Sequence, residues 1–223
     1  MPFPPFRSRM KKILAGILLC VGLTACAGPL SQFNFTAVEL QRSPNFTHRN
    51  LEEGKAAILS AVAGDIFHEY RRVLADSFSK ALRDTYPDVP QIPPQETLSL
   101  LNRADLADEY TEMVRTYEIS GILRKTSQKK IGQALDVRYL IQVSLLQYSQ
   151  DTATRFAFLG IRFLQTRSSF LRVFAQIWDV PSGTIVWEGS SSATVAGEDV
   201  REKPIPFEEV ATRAWQELLK QLP

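Results

Sequence analysis

Apolar positions recur every three or four residues through Phe67, Tyr70, Leu74, Phe78, Ala81 and Leu82, which predicts an amphipathic helix over about 66–85. Tyr86-Pro87 stops it. Before it, residues 55–62 read as one buried strand ending at Gly64, and Val89-Pro90-Gln91-Ile92 predicts a short second strand. Pro93-Pro94 opens another helix, since proline suits the first helical turn, and Leu98 and Leu101 carry it on. Leu106, Tyr110, Met113, Val114 and Tyr117 form a further stripe that breaks at Ser120-Gly121. Residues 125–135 predict a short, lysine-rich helix ending just before Asp136.

The period then changes from helix to strand. Tyr139, Ile141, Val143 and Leu145 alternate with Leu140, Gln142, Ser144 and Leu146, and both sets carry apolar groups, as in an interior strand covered on both sides. Residues 170–178 form a second long strand. Val180-Pro181-Ser182-Gly183 is a turn, with proline setting φ and glycine taking a positive φ, and 185–195 returns as the partner strand. Trp178 and Trp187 flank that turn, where a cross-strand pair packed in the core competes with a carbohydrate-stacking platform. Pro206 opens a last helix with Glu208 and Glu209 in its first turn and Phe207, Val210, Ala214, Leu218 and Leu222 on its buried stripe. The expected architecture is α/β: a mixed sheet of about four to five strands packed with helices, with a C-terminal β-hairpin followed by a terminal helix.

The first 28 residues have a different pattern. Arg7, Arg9, Lys11 and Lys12 precede an apolar run over 13–23, too short to span a bilayer as a helix, and Leu23-Thr24-Ala25-Cys26 closes it. This resembles a bacterial lipoprotein signal, cut just before the cysteine. Met10-Lys11-Lys12 is an alternative start that leaves the mature chain unchanged. The resemblance implies 1–25 as signal peptide, acyl chains on Cys26, and 26–50 as lipidated N-terminus and tether. Residues 51–223 then form a single α/β periplasmic domain. Phe33, Phe35, Val38 and Leu40 leave room for an edge strand inside the tether. Ala27, and not aspartate, follows the cysteine, which in the enterobacterial sorting pattern implies the outer membrane.

A second resemblance covers about 55–222. Ala134-Leu135-Asp136-Val137-Arg138-Tyr139 resembles the helix-end-to-long-strand passage of TolB N-terminal-like domains, with Asp136 in place of the usual glycine. The stretch from Gln176 to Glu188 resembles their D-x-x-T/S-G-x-x-x-W hairpin. Lipoproteins of the CsgG, LpoB and PelC type belong to that group. The likeness implies the fold more than any role.

Composition narrows the chemistry. Removing the four signal-region cations from 26 leaves 22 basic residues against 24 acidic, a balance near −2 that does not favour nucleic acid. With Cys20 in the discarded run and Cys26 blocked by lipid, no thiol is left for a disulfide, a metal cage or a nucleophile. His48 falls in the expected tether and His68 beside the first helix's stripe, so no metal or other cofactor is expected. Gly-x-Ser-x-Gly and Gly-x-x-x-x-Gly-Lys motifs are missing, and no carboxylate pair stands out. The aromatic-rich segment 150–168 extends both neighbouring strands, packs over the sheet, or forms an interaction loop or rim against a membrane or partner subunit. Phe156, Phe158, Phe163, Trp178 and Trp187 are accordingly the candidate interaction residues.

Together these features imply a non-enzymatic, outer-membrane-anchored, periplasm-facing lipoprotein. It would be an accessory subunit of an envelope assembly, export or polymer-synthesis machine. A ring-forming homo-oligomer in export and a cell-wall hydrolase stand as alternatives. The terminal stripe would contribute on the order of 8 kcal/mol before entropy, at about 1.5–3 kcal/mol per large apolar side chain. A chain ending before Phe207 is therefore expected to lose its cooperative melting transition in calorimetry; an unchanged transition would refute this.

Overall fold

The computed structural model describes residues 30–158, 161–199 and 206–223, with the backbone alone for 30–31, 152–158, 161–167 and 197–199. The chain begins with β1 (Leu30–Arg42), α1 (His48–Glu53), β2 (Ala56–Ile58) and β3 (Val62–Ala63). A 3-10 turn at Asp65–Tyr70 leads into α2 (Arg71–Thr85), then β4 (Gln91–Ile92), α3 (Pro94–Arg103), α4 (Ala107–Ser120) and α5 (Lys125–Leu135). Three long strands follow, β5 (Tyr139–Phe158), β6 (Ile161–Asp179) and β7 (Thr184–Asp199), and α6 (Phe207–Leu219) ends the fold.

All strands join one mixed sheet of order β1-β7-β6-β5-β2-β4, with β3 also on β5. The α/β class holds, but the sheet has seven strands where the pattern predicts four to five. Two local effects account for the difference. Residues 55–62 make two strands because the chain leaves the sheet at Ser60, whose N–H donates to the Tyr110 hydroxyl at 2.7 Å and whose carbonyl accepts from Gln142 Nε2 at 2.9 Å. Residues 30–42, within the expected tether, form an antiparallel edge strand on β7, from Leu30 opposite Glu198 to Arg42 opposite Trp187. The edge-strand alternative left open for Phe33, Phe35, Val38 and Leu40 is the one formed: Phe33 and Phe35 lie half-buried against the core together with Ala37, while Val38 and Leu40 are exposed. Residues 48–50 of the expected tether open α1. In α1, Thr47 and Asn50 form a capping box, and the His48 N–H donates to the Pro223 carbonyl at 2.6 Å.

The sheet carries a core on each face. On one, Ile141, Val143, Val173, Ala175 and Trp187 meet α2 and α6, whose Phe78 and Trp215 rings touch edge-on at 5.1 Å. Tyr70, Tyr148 and Phe207 pack together at one end of that core, with centroids 4.6–5.0 Å apart. On the other face, Leu140 and Trp178 meet Leu101, Tyr110, Met113 and Ile131 from α3–α5 and Leu123 from the α4–α5 connection.

The expected Trp178–Trp187 pair does not form. A bulge after Ile177 sets Trp187 opposite Ile177 and Trp178 opposite Ile185, and the two indoles belong to the cores on opposite faces. With Trp178 4% and Trp187 0% exposed, neither offers a platform to a ligand.

Asp136 ends α5 in the left-handed region, at φ 53°, at the position where the resembled domains carry glycine. Aspartate tolerates this conformation better than most residues but keeps a Cβ penalty. Asp136→Gly is expected to raise unfolding free energy by about 1 kcal/mol and Asp136→Val to lower it, read from denaturant midpoints.

Candidate functional site

Strand direction sorts the chemistry to the two ends of the sheet. The end of β1 and β6 and the start of β5 and β7 lie together, in the row Tyr139, Asp179, Thr184. At this end a cleft of about 910 Å³ opens between the end of α1, the end of α5 and the β6–β7 turn. Lys55, Lys129 and Arg138 line it together with Glu53 and Asp136.

Arg138, in the cleft's lining, belongs to a connected polar unit that reaches the β6–β7 turn. Arg138 Nε donates to Asp179 Oδ1 at 3.0 Å, while Asp179 Oδ2 accepts from the Ser182 N–H at 3.0 Å and its hydroxyl at 2.7 Å. That second pair is an Asx-type turn, and it fixes the hairpin whose Gly183 takes φ 72°. The Arg138 carbonyl accepts from the Val180 N–H at 2.9 Å, tying β5 to the turn. Beneath it, α5 approaches so closely that a Cβ on Gly132 would sit 2.7 Å from Val180 Cγ1. Burial alone would raise the Asp179 carboxyl, but the hydrogen bonds from Ser182 and Arg138 outweigh it and hold the group below its ordinary range. Both residues fall inside the resembled hairpin and strand motifs. Their pairing joins positions 41 residues apart, which spacing along the chain does not reveal.

The opposite end carries the start of β1, the end of β7 and the tip of the β5–β6 hairpin. Leu30 pairs with Glu198, Glu198 with Thr166, and Thr166 with Ala153, so these four form one row. Beyond it, β5 and β6 stay paired to Phe158 opposite Ile161. The segment 150–168 thus extends both neighbouring strands over its described residues, one of the arrangements its sequence allows. Phe156, Phe158 and Phe163 stand in this extension by backbone position, and their side chains lie outside the described residues, as do Cys26, Ala27 and the whole of 1–29.

Between the ends, a smaller groove of about 460 Å³ runs past Ser60, Ala61, Arg71, Ala75, Pro94 and Leu98 at the carboxyl end of β2. Arg71 there donates to the Ala63 carbonyl at 2.9 Å and pairs with Glu118 at 3.2 Å. The histidines serve the fold: His48 Nδ1 lies 2.8 Å from the Pro223 carbonyl and its ring stacks on Tyr86, while His68 Nδ1 lies 3.3 Å from the Asp65 carbonyl. Among the described residues no group of three metal-ligating side chains converges, and no helix is long and apolar enough to cross a membrane.

No family model matches the chain, and no curated protein matches it. Solved structures similar to it include the PelC dodecamer from Paraburkholderia phytofirmans, at 14% identity over 86% of this chain and 97% of that one, with a TM-score of 0.45. The lipoprotein GNA1162 from Neisseria meningitidis is similar at 11% identity over 75% and 96%, with a TM-score of 0.40. The LpoB C-terminal domain from Salmonella enterica is similar at 11% over 69% and 87%, with a TM-score of 0.37. The cleft and its residues rest on this chain's own geometry.

A carboxylate whose pKa is depressed on folding stabilises above its unfolded pKa, and that contribution disappears as pH falls through the folded value. Asp179 is expected to add acid sensitivity below about pH 4, its unfolded range. Asp179→Asn should flatten the fall in stability as pH drops below about 4, measured by denaturant melts at successive pH values; an unchanged slope would refute the role.

Proposed function

We propose that this chain is a lipid-anchored, non-enzymatic accessory subunit on the periplasmic face of the outer membrane. In this reading it displays the cleft at Arg138 and Asp179 to a protein partner in an envelope assembly, export or polymer-synthesis machine. The observation that supports this is the position of β1. The strand starts at Leu30, four residues after Cys26, and runs 13 residues to the cleft end of the sheet. At about 3.3 Å per residue, the cleft stands about 40 Å from the strand's start. Acyl chains on Cys26 would therefore hold one end of a stiff sheet and leave the other reaching into the periplasm. Two or more acyl chains are enough for stable anchoring. The cleft's mixed charges, Lys55, Lys129 and Arg138 beside Glu53 and Asp136, suit a polar protein surface more than a uniformly charged polymer.

A homo-oligomer is the second reading, and one feature favours it. The outer edge of β1 has no strand against it among the described residues, and Glu39 and Arg42 are the charged residues on its 13 positions. Such an edge can accept another strand.

The expected result is palmitate incorporation into the wild-type protein and none into Cys26→Ser. Extraction in mild detergent should then recover the chain with a larger envelope protein, and Arg138→Glu should reduce that recovery without altering lipidation. A discrete homo-oligomer by mass would replace the partner reading with the second one, and wild-type protein that takes up no palmitate would remove the anchor.

A further inference from the structure

The start of β1, the described point nearest Cys26 along the chain, and the hairpin tip sit at the same end of the sheet. The row Leu30, Glu198, Thr166, Ala153 crosses all four long strands. Neighbouring strands are about 4.8 Å apart, so Leu30 and Ala153 are separated by about 14 Å across the sheet. From Ala153 the hairpin continues to Phe158, five residues further, or about 16 Å past that row. Chain connectivity keeps Cys26 within about 14 Å of Leu30, since four residues cannot span more. A bilayer that holds lipid on Cys26 therefore passes within reach of the tip.

The sequence of the tip fits such a surface. The last residues of β5 include Phe156, Ala157 and Phe158, and the first of β6 include Ile161, Phe163 and Leu164. Arg155, Arg162 and Arg167 are interspersed among them, and no acidic residue occurs between Asp151 and Asp179. Arg155 and Arg167 stand behind the apolar residues and Arg162, paired with Ala157, stands among them, and this mix of apolar and basic residues matches an interface of acyl chains and phosphate headgroups. The apolar stretch on each strand is only three or four residues, while a membrane-crossing strand needs about 9–11. The tip can enter one leaflet and cannot span two.

We infer that the tip of the β5–β6 hairpin docks in the interface of the same leaflet that holds the Cys26 lipid, giving the domain two attachment points and a fixed tilt. The inference rests on the anchor proposed for Cys26. A second contact would turn a flexible lipid tether into an oriented mount, with the Arg138–Asp179 cleft facing away from the membrane.

The test uses the full chain, purified from membranes and reconstituted into vesicles of phosphatidylethanolamine and phosphatidylglycerol. An environment-sensitive fluorophore is placed on Phe158→Cys, or on Gln133→Cys at the cleft end as a control, and intact mass reads the acylation of Cys26 in the same samples. Brominated lipids are expected to quench most of the emission at position 158 and leave that at 133 unchanged. If Cys26 is acylated and position 158 is as unquenched as 133, the docked tip is overturned and the anchor stands. If the label at 158 is shielded from water yet unquenched, the tip meets protein and the inference fails. If Cys26 carries no lipid, the anchor fails; quenching at 158 on bound vesicles would still support the docked tip, and its absence would overturn both.

Discussion

The structure depends on a sheet whose two faces are covered to different heights. On the α2–α6 face the core runs from Trp187 up to Val195 and is closed by Tyr70, Tyr148 and Phe207. On the other face α3, α4 and α5 cover the strands only as far as about Gln176, and beyond that Leu146 is 51% exposed while Arg172 and Thr194 face solvent. Four long strands thus leave their helical cover on one side and continue as a ribbon. Antiparallel pairing sustains such an extension because each strand satisfies its neighbour's backbone without needing a second layer.

How much of this can be read from the chain follows from how local each determinant is. The stripe from Leu74 to Leu82, the stripe on α6, the proline start of α3 and the Pro181–Gly183 turn all act within a few residues, and their elements appear where the pattern puts them. β1 is harder to read because an edge strand buries one face only partly. Phe33, Phe35 and Ala37 alternate with exposed partners, a weak signal beside Ser31, Gln32 and Asn34. The two tryptophans are misplaced by one inserted residue: a single bulge inverts the face of everything past it, and periodicity alone does not locate a bulge. The site is less legible still. Arg138 and Asp179 stand in recognisable motifs, but their pairing beside the cleft that Arg138 lines is made by register between distant strands, as is the approach of residue 153 to Leu30.

Buried polar groups hold that register. Tyr117 donates to Gln176 Oε1 at 2.9 Å, and Gln176 Nε2 donates on to Glu188 at 2.9 Å, linking α4 to β6 and β7 through the lower edge of the covered face. Tyr110 and Gln142 do the same for the Ser60 crossover between β2 and β3. These bonds add little net stability, because each replaces one made to water. Their effect is selective: a shift of α4 by one turn, or of β6 by one residue, would strand several buried donors and acceptors together. An apolar interface of the same area would tolerate sliding. The polar bonds therefore favour one alignment of helices on sheet, and with it one distance between the hairpin tip and the Arg138–Asp179 cleft. In the proposed role, a surface held at a set height above a membrane, that distance would matter more than any single contact at either end.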